Sequence, residues 1–565
     1  MNRLGRLVPV FDWLPAYRKE WLRADAVAGL TTSAVVIPKA MAYAAIAGLP
    51  LVVGLYSSLI PLLVYALFGT ARVLSVTTTS TIAILVAGTI SQFAAGADAA
   101  TQMAVATTLS LLVGGFLLLA GILRLGAVAN LISEPVLTGF KAGIGLVIVL
   151  DQIPKLLGIH IAKTGFFRDI LSIGQHLSEI SVPTLVLALL MLALMVGLEH
   201  FAPRVPAPLV TVAVGIGIAA VLNVDRLGIQ LVGAVQAGLP AFGWPDLGLA
   251  QQLWPSALGI ALMSFVETAA AGRAFALPGE PRPKANQELV ALGAANLAGS
   301  LFQIMPAGGG TSQTAVNRGA GAQSQVAGLV TAAVVVATLL FLAPVFSLMP
   351  QPVLAAVVVI ASIGLISPAE FRTILSVRTM EFRWALIAMV GVMVLGTLKG
   401  ILVAVVVSLV GLIVYTSRRP VYVLGRKPGT TSFFRPRSAE HPEDETFPGL
   451  LLLKIEGNVH FANASRLGDL IWPLIQQYQP RVVVLDLSAM PDLEYTALKM
   501  LTDAEVKLRE SGIELWLAAL NPEPLQLIQK TPLGVALGRE RMIYSLKHVV
   551  EVYRSRFSET PTGKE

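Results

Sequence analysis

The stretch MPAGGGTSQTAVN, residues 305–317, separates two long apolar runs and decides how the surrounding chain folds. Three consecutive glycines disfavour a continuous helix, and neutral polar residues follow them where lipid-facing side chains would be expected. In a bilayer, each backbone N–H or C=O group without a hydrogen bond costs several kcal/mol, so irregular backbone must be buried in protein or line a wet cavity. The stretch therefore predicts a short strand or unwound segment that leads into a half-helix beginning near Gly310.

The composition of the whole chain places this break in a polytopic membrane protein. Of 565 residues, 55% are hydrophobic and 13% are charged, whereas a soluble protein carries about 25% charged residues. The absence of cysteine excludes disulfides and thiolate metal sites, and neither a metal nor a cofactor is expected. Candidate spans lie near residues 26–45, 51–69, 75–93, 104–123, 130–150, 180–199, 207–223, 254–275, 286–303, 308–320, 326–348, 351–366, 381–397 and 399–417.

The basic residues of the short connections predict the orientation. Connections after the even-numbered spans carry most of them, whereas opposite connections such as AIAGLP lack Lys and Arg, with Lys155, Arg226 and Lys399 among the exceptions. This bias favours an even number of spans with both termini cytoplasmic, in the inner (plasma) membrane, and a count of twelve remains compatible with it. The net charge of +7 follows from the same bias, so no nucleic-acid partner is expected. Residues 1–24 are predicted to lie on the membrane surface.

The end of the chain has a different character. A polar, proline-rich stretch, residues 421–447, is predicted to be a linker. Residues 448–556 then alternate short apolar strands, such as VVVLDLS at 482–488, with helical patterns, which predicts a small cytoplasmic α/β domain. Residues 557–565 form a tail.

A second polar interruption, LSVTTTST at residues 74–81, falls in the third candidate span. The glycine-rich break occupies the corresponding third place in a second set of seven spans. Interrupted spans at matching positions predict an inverted repeat, about 25–223 and 254–420 within a transport domain of 25–420, with the substrate held between the breaks. Two half-helix N-termini aimed at one point favour an anion. The alternative is a pair of ordinary kinks whose Ser and Thr side chains pack against neighbouring helices.

Several motifs resemble those of the SulP anion transporter family, also called solute carrier family 26. They are IPKAMAYAAIAGLP (37–50), ISEPVLTGFKAGIG (132–145), ANQELVALGAANLAGSLF (285–302), TAVN (314–317) and VHFANA (459–464). The resemblance covers nearly the whole chain. It implies fourteen spans in two inverted sets of seven, a core domain that moves against a gate domain, a cytoplasmic STAS domain and a homodimer.

The resemblance also implies an anion site built from the first, third, eighth and tenth spans. Its residues here are Lys39, Tyr43, Val76, Thr77, Thr78, Glu267, Gly309, Gly310, Thr311, Ser312 and Gln313. The family usually has Gln where this chain has Lys39, and many members have Arg where it has Gln313. One hypothesis is that Lys39 substitutes for that Arg; the alternative is that it snorkels toward an interface. The glycines are expected to let the backbone approach the anion closely.

Glu267 is a single carboxylate within an apolar span. An ionisable residue in such a place is a functional candidate, because a buried charge is costly unless it is paired or neutralised. We expect Glu267 to carry the coupled proton; the alternative is a purely structural ion pair or hydrogen bond. Sodium coupling is disfavoured, because Met263 and Ala271, one turn away on either side, offer no second carboxylate.

These observations predict a secondary active transporter of a small inorganic or organic anion (sulfate, bicarbonate or dicarboxylate), coupled to protons and working by an elevator-type movement in the lipid bilayer. An anion exchanger, and a channel-like or sensory protein with STAS output, remain as alternatives; a nucleobase carrier is disfavoured by the STAS domain. No nucleophile stands beside a base, so an enzyme is not expected. In the STAS segment, Tyr495 stands where related domains have a phosphorylated Ser, which favours a scaffold or docking role with a cytoplasmic protein partner.

Overall fold

The computed structural model describes residues 8–127, 132–161, 165–203, 205–222, 224–233, 235, 237–277, 280–417, 420–457, 459–460 and 463–557. The chain forms two compact units, Met1–Leu409 and Val410–Glu565. Each unit has its own hydrophobic core.

Helices dominate the first unit, and two very short strands interrupt them. In chain order the elements are α1 (Val10–Trp13), α2 (Trp21–Ala47), α3 (Leu51–Phe68), β1 (Val76–Thr77), α4 (Ser80–Phe93), α5 (Ala99–Ile122), α6 (Glu134–Leu157), α7 (Phe166–Gln175), α8 (Val182–Phe201), α9 (Ala207–Leu222), α10 (Ala250–Ala274), α11 (Ala285–Ser300), β2 (Gly308–Gly309), α12 (Thr311–Gly319), α13 (Val326–Ala337), α14 (Ala343–Phe346), α15 (Gln351–Ile363), α16 (Pro368–Val377), α17 (Thr379–Leu395) and α18 (Thr397–Ser417).

The helices account for the apolar runs of the sequence. Among the described residues, nine helical segments are long and apolar enough to cross a membrane, and α4 and α9 are shorter apolar helices. Each of the fourteen predicted spans contains a helix close to its predicted place. The membrane character is therefore as predicted, whereas the count of fourteen crossings stays a prediction.

The helix contacts pair the two halves of the first unit in a regular way. Helix α2 packs on α13, and α10, the first helix of the second half, packs on α5. Likewise α3 packs on α13 while α11 packs on α5, and α6 packs on α17 while α15 packs on α8. In each of these pairs of contacts, every helix of the first contact is replaced in the second contact by the helix at the same position in the other half of the chain.

Glycines allow some of these helices to approach very closely. A Cβ built on Gly54 of α3 would lie 1.9 Å from the carbonyl oxygen of Ala40 on α2, and one on Gly139 of α6 would lie 1.9 Å from the carbonyl oxygen of Ala385 on α17. A side chain at either place would push two backbones apart.

We expect Gly54→Ala to destabilise the membrane unit and Gly115→Ala to leave it unchanged. Both replace a helical glycine, but a Cβ on Gly115 meets nothing within 4 Å. Overpacking at Gly54 should lower the free energy of unfolding by about 1–3 kcal/mol. Thermal unfolding of the two purified variants measures the difference. Equal midpoints would show that the contact between α2 and α3 can relax.

The second unit is an α/β domain, as the sequence predicts. Its elements are β3 (Val421–Arg426), β4 (Phe434–Pro436), β5 (Leu450–Ile455), α19 (Ala464–Tyr478), β6 (Val482–Asp486), α20 (Tyr495–Glu510), β7 (Glu514–Ala518), α21 (Pro522–Gln529), α22 (Pro532–Leu537), β8 (Met542–Ile543) and α23 (Leu546–Phe557). The sheet order is β4-β3-β5-β6-β7-β8, with β5 to β8 parallel and β3 antiparallel to both of its neighbours.

The structure differs from the sequence prediction at residues 421–447. This stretch supplies β3 and β4 of the sheet and is therefore not only a linker. Its many prolines and charges hide the strand signal; of the two strands, β4 lies at the edge of the sheet, where such residues are tolerated. Tyr495, at the start of α20, is 79% exposed, which suits a docking role. This residue takes the place of the serine that is phosphorylated in related domains.

An ion pair in this domain predicts a response to acid. Arg435 donates to both carboxylate oxygens of Asp444, at 2.8 and 2.9 Å. These hydrogen bonds hold the pKa of Asp444 below its ordinary value of 3.8. Their stabilisation is complete above that value and is lost as the pH falls through the lower value of the folded protein. We expect hydrogen exchange at the paired amides of Arg426 and Glu445 to accelerate there, and Asp444→Asn to remove this pH dependence. An unchanged profile in the variant would contradict the assignment.

Candidate functional site

The two interrupted spans meet in a two-stranded antiparallel sheet. Val76 pairs with Gly309, and Thr77 pairs with Gly308. The N–H group of Gly310 donates to the carbonyl oxygen of Ser75 at 3.0 Å. Each break therefore supplies the backbone partners that the other lacks, which meets the requirement that irregular backbone inside a membrane be hydrogen-bonded.

Side chains of α10 and α11 hold the second break in place. Thr268 accepts from the N–H group of Gly309 at 2.7 Å, and Ser264 donates to the carbonyl oxygen of Ala307 at 2.8 Å. Asn296 both donates to and accepts from the backbone of Ala307, at 3.1 and 2.9 Å. These three side chains were not predicted as site residues. The signal that could have found them is their polarity within otherwise apolar helices.

The glycines of the break have a different role from the one expected. A Cβ on Gly308 would lie 2.8 Å from Ser264 Oγ, and one on Gly309 would lie 2.8 Å from Thr268 Cα. These two glycines therefore make room for α10. The space beside Gly310 is taken by the Gln313 carboxamide, whose oxygen would be 2.0 Å from a Cβ there. The expectation that the glycines also let the backbone approach an anion stays a prediction.

Two half-helices begin directly after the paired strands. Helix α4 begins at Ser80, and the Thr79 hydroxyl caps it by accepting from the N–H group of Ile82 at 3.3 Å. Helix α12 begins at Thr311 and has no side-chain cap. The first N–H groups of a helix have no partner within it and carry a partial positive charge. The start of α12 therefore keeps donors available for a ligand.

Lys39 reaches the beginning of α12. Its ammonium donates to Ser312 Oγ at 3.1 Å, and the Ser312 hydroxyl contacts Gln313 Oε1 at 3.3 Å. Gln313 in turn donates to Thr77 Oγ1 at 3.3 Å, which ties the two breaks together through their side chains. Thr311 and Ser312 are exposed, whereas Gln313 is buried. The Lys39 ammonium thus lies beside α12, the half-helix whose third residue is Gln313.

Glu267 lies within α10, and its side chain reaches the start of α4. Its carboxylate is buried and accepts from Thr79 Oγ1 at 2.8 Å. Tyr43, on α2, is buried as well. Two of the sequence-predicted residues, Lys39 and Glu267, therefore flank the breaks without contacting each other.

The remaining predicted residues contribute mainly to the scaffold. Val76 is fully buried in β1, and Thr78 donates to the carbonyl oxygen of Pro306 at 2.9 Å. Glu288 was missed, although it is an ionisable residue within a predicted span. Within the described residues, no cluster of His, Asp and Glu could hold a metal ion.

Glu288 anchors the approach to the first break. It is buried and accepts from the Tyr65 hydroxyl at 2.6 Å and from the Thr70 N–H group at 2.8 Å. Thr70 lies at the end of α3, in the connection that leads into β1. Glu288 therefore fixes the chain just before the paired strands without belonging to the site itself.

Taken together, the site offers an uncapped helix N-terminus, neutral hydroxyl and amide donors and one ammonium group. This donor set can bind an anion without surrounding it by fixed charges, so release remains possible. One buried carboxylate stands a short distance away and can hold a proton.

Comparison with known proteins finds relatives that match nearly the whole chain. A model of the sulfate permease family matches residues 22–391, and a STAS domain model matches residues 441–537. A probable sulfate transporter of Mycobacterium tuberculosis is 34% identical over 544 residues, which cover 96% of this chain and 97% of that protein. Sulfate transporter 4.1 of Arabidopsis thaliana, a chloroplast protein, is 31% identical, with 97% of this chain and 83% of that protein covered.

Solved structures share the fold. The structure of the murine solute carrier 26 family member A9 anion transporter in its inward-facing state superimposes with a TM-score of 0.89 at 23% identity, covering 97% of this chain and 94% of that chain. The transmembrane domain of a cyanobacterial bicarbonate transporter gives a TM-score of 0.60 at 24% identity and covers 69% of this chain and 98% of that one.

Proposed function

The chain belongs to the sulfate permease family of anion transporters, and we propose that it is a secondary active transporter that moves a small anion together with protons. The observation that carries the proposal is the meeting of the two breaks, with Lys39 at the start of α12 and Glu267 bonded to Thr79 at the start of α4. An anion donor set and a proton-carrying group thus share one scaffold.

The anion is held between the starts of α4 and α12. Lys39, Thr311 and Ser312 supply its contacts from the exposed side, and the N–H groups at the start of α12 supply the rest. Gln313 and Thr77 position these groups from behind, through their mutual hydrogen bond. Lys39 takes the place of the Arg that many family members carry, because its ammonium already lies at this helix end.

Glu267 carries the proton. Its carboxylate accepts a hydrogen bond from the neutral hydroxyl of Thr79, which can donate to a carboxylate and accept from a protonated carboxyl group. Thr79 also caps α4. A change in the protonation of Glu267 is therefore transmitted directly to one of the two half-helix N-termini that face the anion.

Transport proceeds by movement of a core against a gate, built from fourteen spans in two inverted sets of seven. The exchange symmetry of the helix contacts supports the repeat: α2 with α13 mirrors α10 with α5, and α6 with α17 mirrors α15 with α8. The first pair belongs to the core that carries the site, and the second to the gate. The protein acts as a homodimer in the inner (plasma) membrane, with both termini cytoplasmic.

Anion exchange without protons is the second candidate. It is favoured by the hydrogen bond from Thr79, because this bond gives the Glu267 carboxylate a partner within the protein. A carboxylate that stays charged in this bond would leave no proton to carry and would make Glu267 structural.

Reconstituted liposomes with a pH dye inside distinguish the two candidates. Sulfate is the first anion to test, because the Mycobacterium and Arabidopsis relatives are named sulfate transporters, followed by bicarbonate and dicarboxylates. Proton symport predicts an anion-dependent acidification of the lumen that saturates with the anion concentration. Saturable exchange of labelled anion with no such pH change would contradict symport and favour the exchanger, and a steady conductance would favour a channel.

A further inference from the structure

A cavity of about 480 Å³ lies apart from the paired strands, where α1 and the start of α2 meet the connections after α3 and before α11. We call it the basic cavity. Its charged and aromatic lining consists of Arg72, Arg282, Lys284, Asp12, Trp13 and Trp21. Three cations therefore face a single carboxylate across a space large enough for a polar head group.

The cations of the basic cavity are not neutralised by the protein. In the part of the chain that the structure describes, no carboxylate lies within ion-pair distance of Arg72, Arg282 or Lys284. The nearby acidic groups have other partners. Glu280 pairs with Arg318 at 2.5 Å, and Asp25 accepts from the backbone N–H group of Gln323 at 2.7 Å.

Aromatic residues give the cavity an amphipathic wall. The Arg72 guanidinium lies over the Trp21 ring, 5.7 Å from its centroid, and the Trp13 indole donates to the carbonyl oxygen of Ala66 at 3.1 Å. Indoles with an apolar body and a hydrogen-bonded N–H group are typical of the membrane–water boundary. Basic pockets between membrane helices are known to bind phosphate head groups.

We propose that the basic cavity binds a phosphate group, carried by an anionic phospholipid or by a soluble phosphate. Arg282 and Lys284 supply the outer contacts, since both are exposed, and Arg72 supplies the inner one. The ligand is expected to influence transport, because Thr70 and Ala71 line the cavity and lead within a few residues into β1. Gln325, also in the lining, donates to the carbonyl oxygens of Ala71 and Leu74, at 2.8 and 3.0 Å.

The test compares the full-length protein with Arg282→Gln/Lys284→Gln. Thermal unfolding is followed in phosphatidylcholine vesicles, in vesicles with added phosphatidylglycerol, and in phosphatidylcholine with inorganic phosphate. The double variant should bind about tenfold or more weakly than the wild type, because each basic residue near a membrane surface contributes about 1 kcal/mol toward an anionic head group. The matched control is Arg372→Gln/Arg383→Gln, which removes two exposed charges outside the cavity.

The arms of the experiment separate the sources of the phosphate. Stabilisation of the wild type and of the control by phosphatidylglycerol alone identifies a lipid, and stabilisation by inorganic phosphate alone identifies a soluble ligand. The charge-conserving Arg282→Lys/Lys284→Arg should retain the effect, which excludes misfolding as its cause. The proposal is overturned if neither addition stabilises the wild type, or if the double variant responds like the control.

Discussion

Replacing Glu267 by Gln is expected to reduce anion uptake driven by a pH gradient to the rate of protein-free liposomes, while anion exchange remains measurable. Glutamine has nearly the shape of the carboxylate and can still bond to the Thr79 hydroxyl, so the capped start of α4 should persist. What the variant lacks is a group that gains and loses a proton. The measurement is uptake of labelled anion with and without an inward proton gradient.

The matched control is Glu288→Gln, which alters another buried carboxylate in a membrane helix. Glu288 bonds to Tyr65 and Thr70, and not to the residues that flank the breaks. This variant should lose stability, because it weakens charge-assisted hydrogen bonds, but the folded protein should retain uptake driven by protons. If Glu267→Gln also retains such uptake, Glu267 is not the proton carrier.

Replacing Lys39 by Gln is expected to raise the anion concentration at half-maximal uptake by about 10- to 100-fold, because a hydrogen bond to a charged group contributes about 1.5–3 kcal/mol. The ammonium lies 3.1 Å from Ser312 Oγ, at the start of α12. The substitution restores the residue usual in the family at this place and leaves the site without its cation. The concentration dependence of uptake measures the effect.

A second substitution tests whether the cation can be moved. Adding Gln313→Arg to Lys39→Gln returns a positive charge to the same helix, two residues beyond the start of α12, where many family members carry it. The double variant should recover most of the lost affinity, and Lys39→Arg alone should retain it. An unchanged half-saturation concentration in Lys39→Gln would support the alternative in which this lysine only snorkels.

The sequence predicts the two breaks, with the substrate held between them, because their polarity is incompatible with ordinary spans; their pairing with each other is a finding of the structure. MPAGGG and LSVTTTST can lie at membrane depth only with backbone partners, and each is the partner of the other. Glu267 is recognised as a candidate by a similar rule, because an ionisable residue within an apolar span is costly unless it has a function. These features concern the chain's local chemistry, so they can be recognised without the fold.

The other features of the fold and the site could not be predicted, because they depend on which elements become neighbours in the folded protein. The roles of Gly308 and Gly309 follow from the closeness of α10, which no local pattern encodes. The hydrogen bond between Tyr65 and Glu288 joins residues from opposite halves of the chain. Strand β3 was interpreted as part of a linker, because its last residue, Arg426, and the following Lys427 and Pro428 resemble a loop.

The most direct test of the account is the structure of the protein bound to the anion that the liposome measurements identify, at a saturating concentration. We predict density between the starts of α4 and α12, about 3 Å from the Lys39 ammonium and from the first N–H groups of α12. Density elsewhere, for example in the separate cavity lined by Lys155 and Gln152, with none between the half-helices, would contradict the central claim.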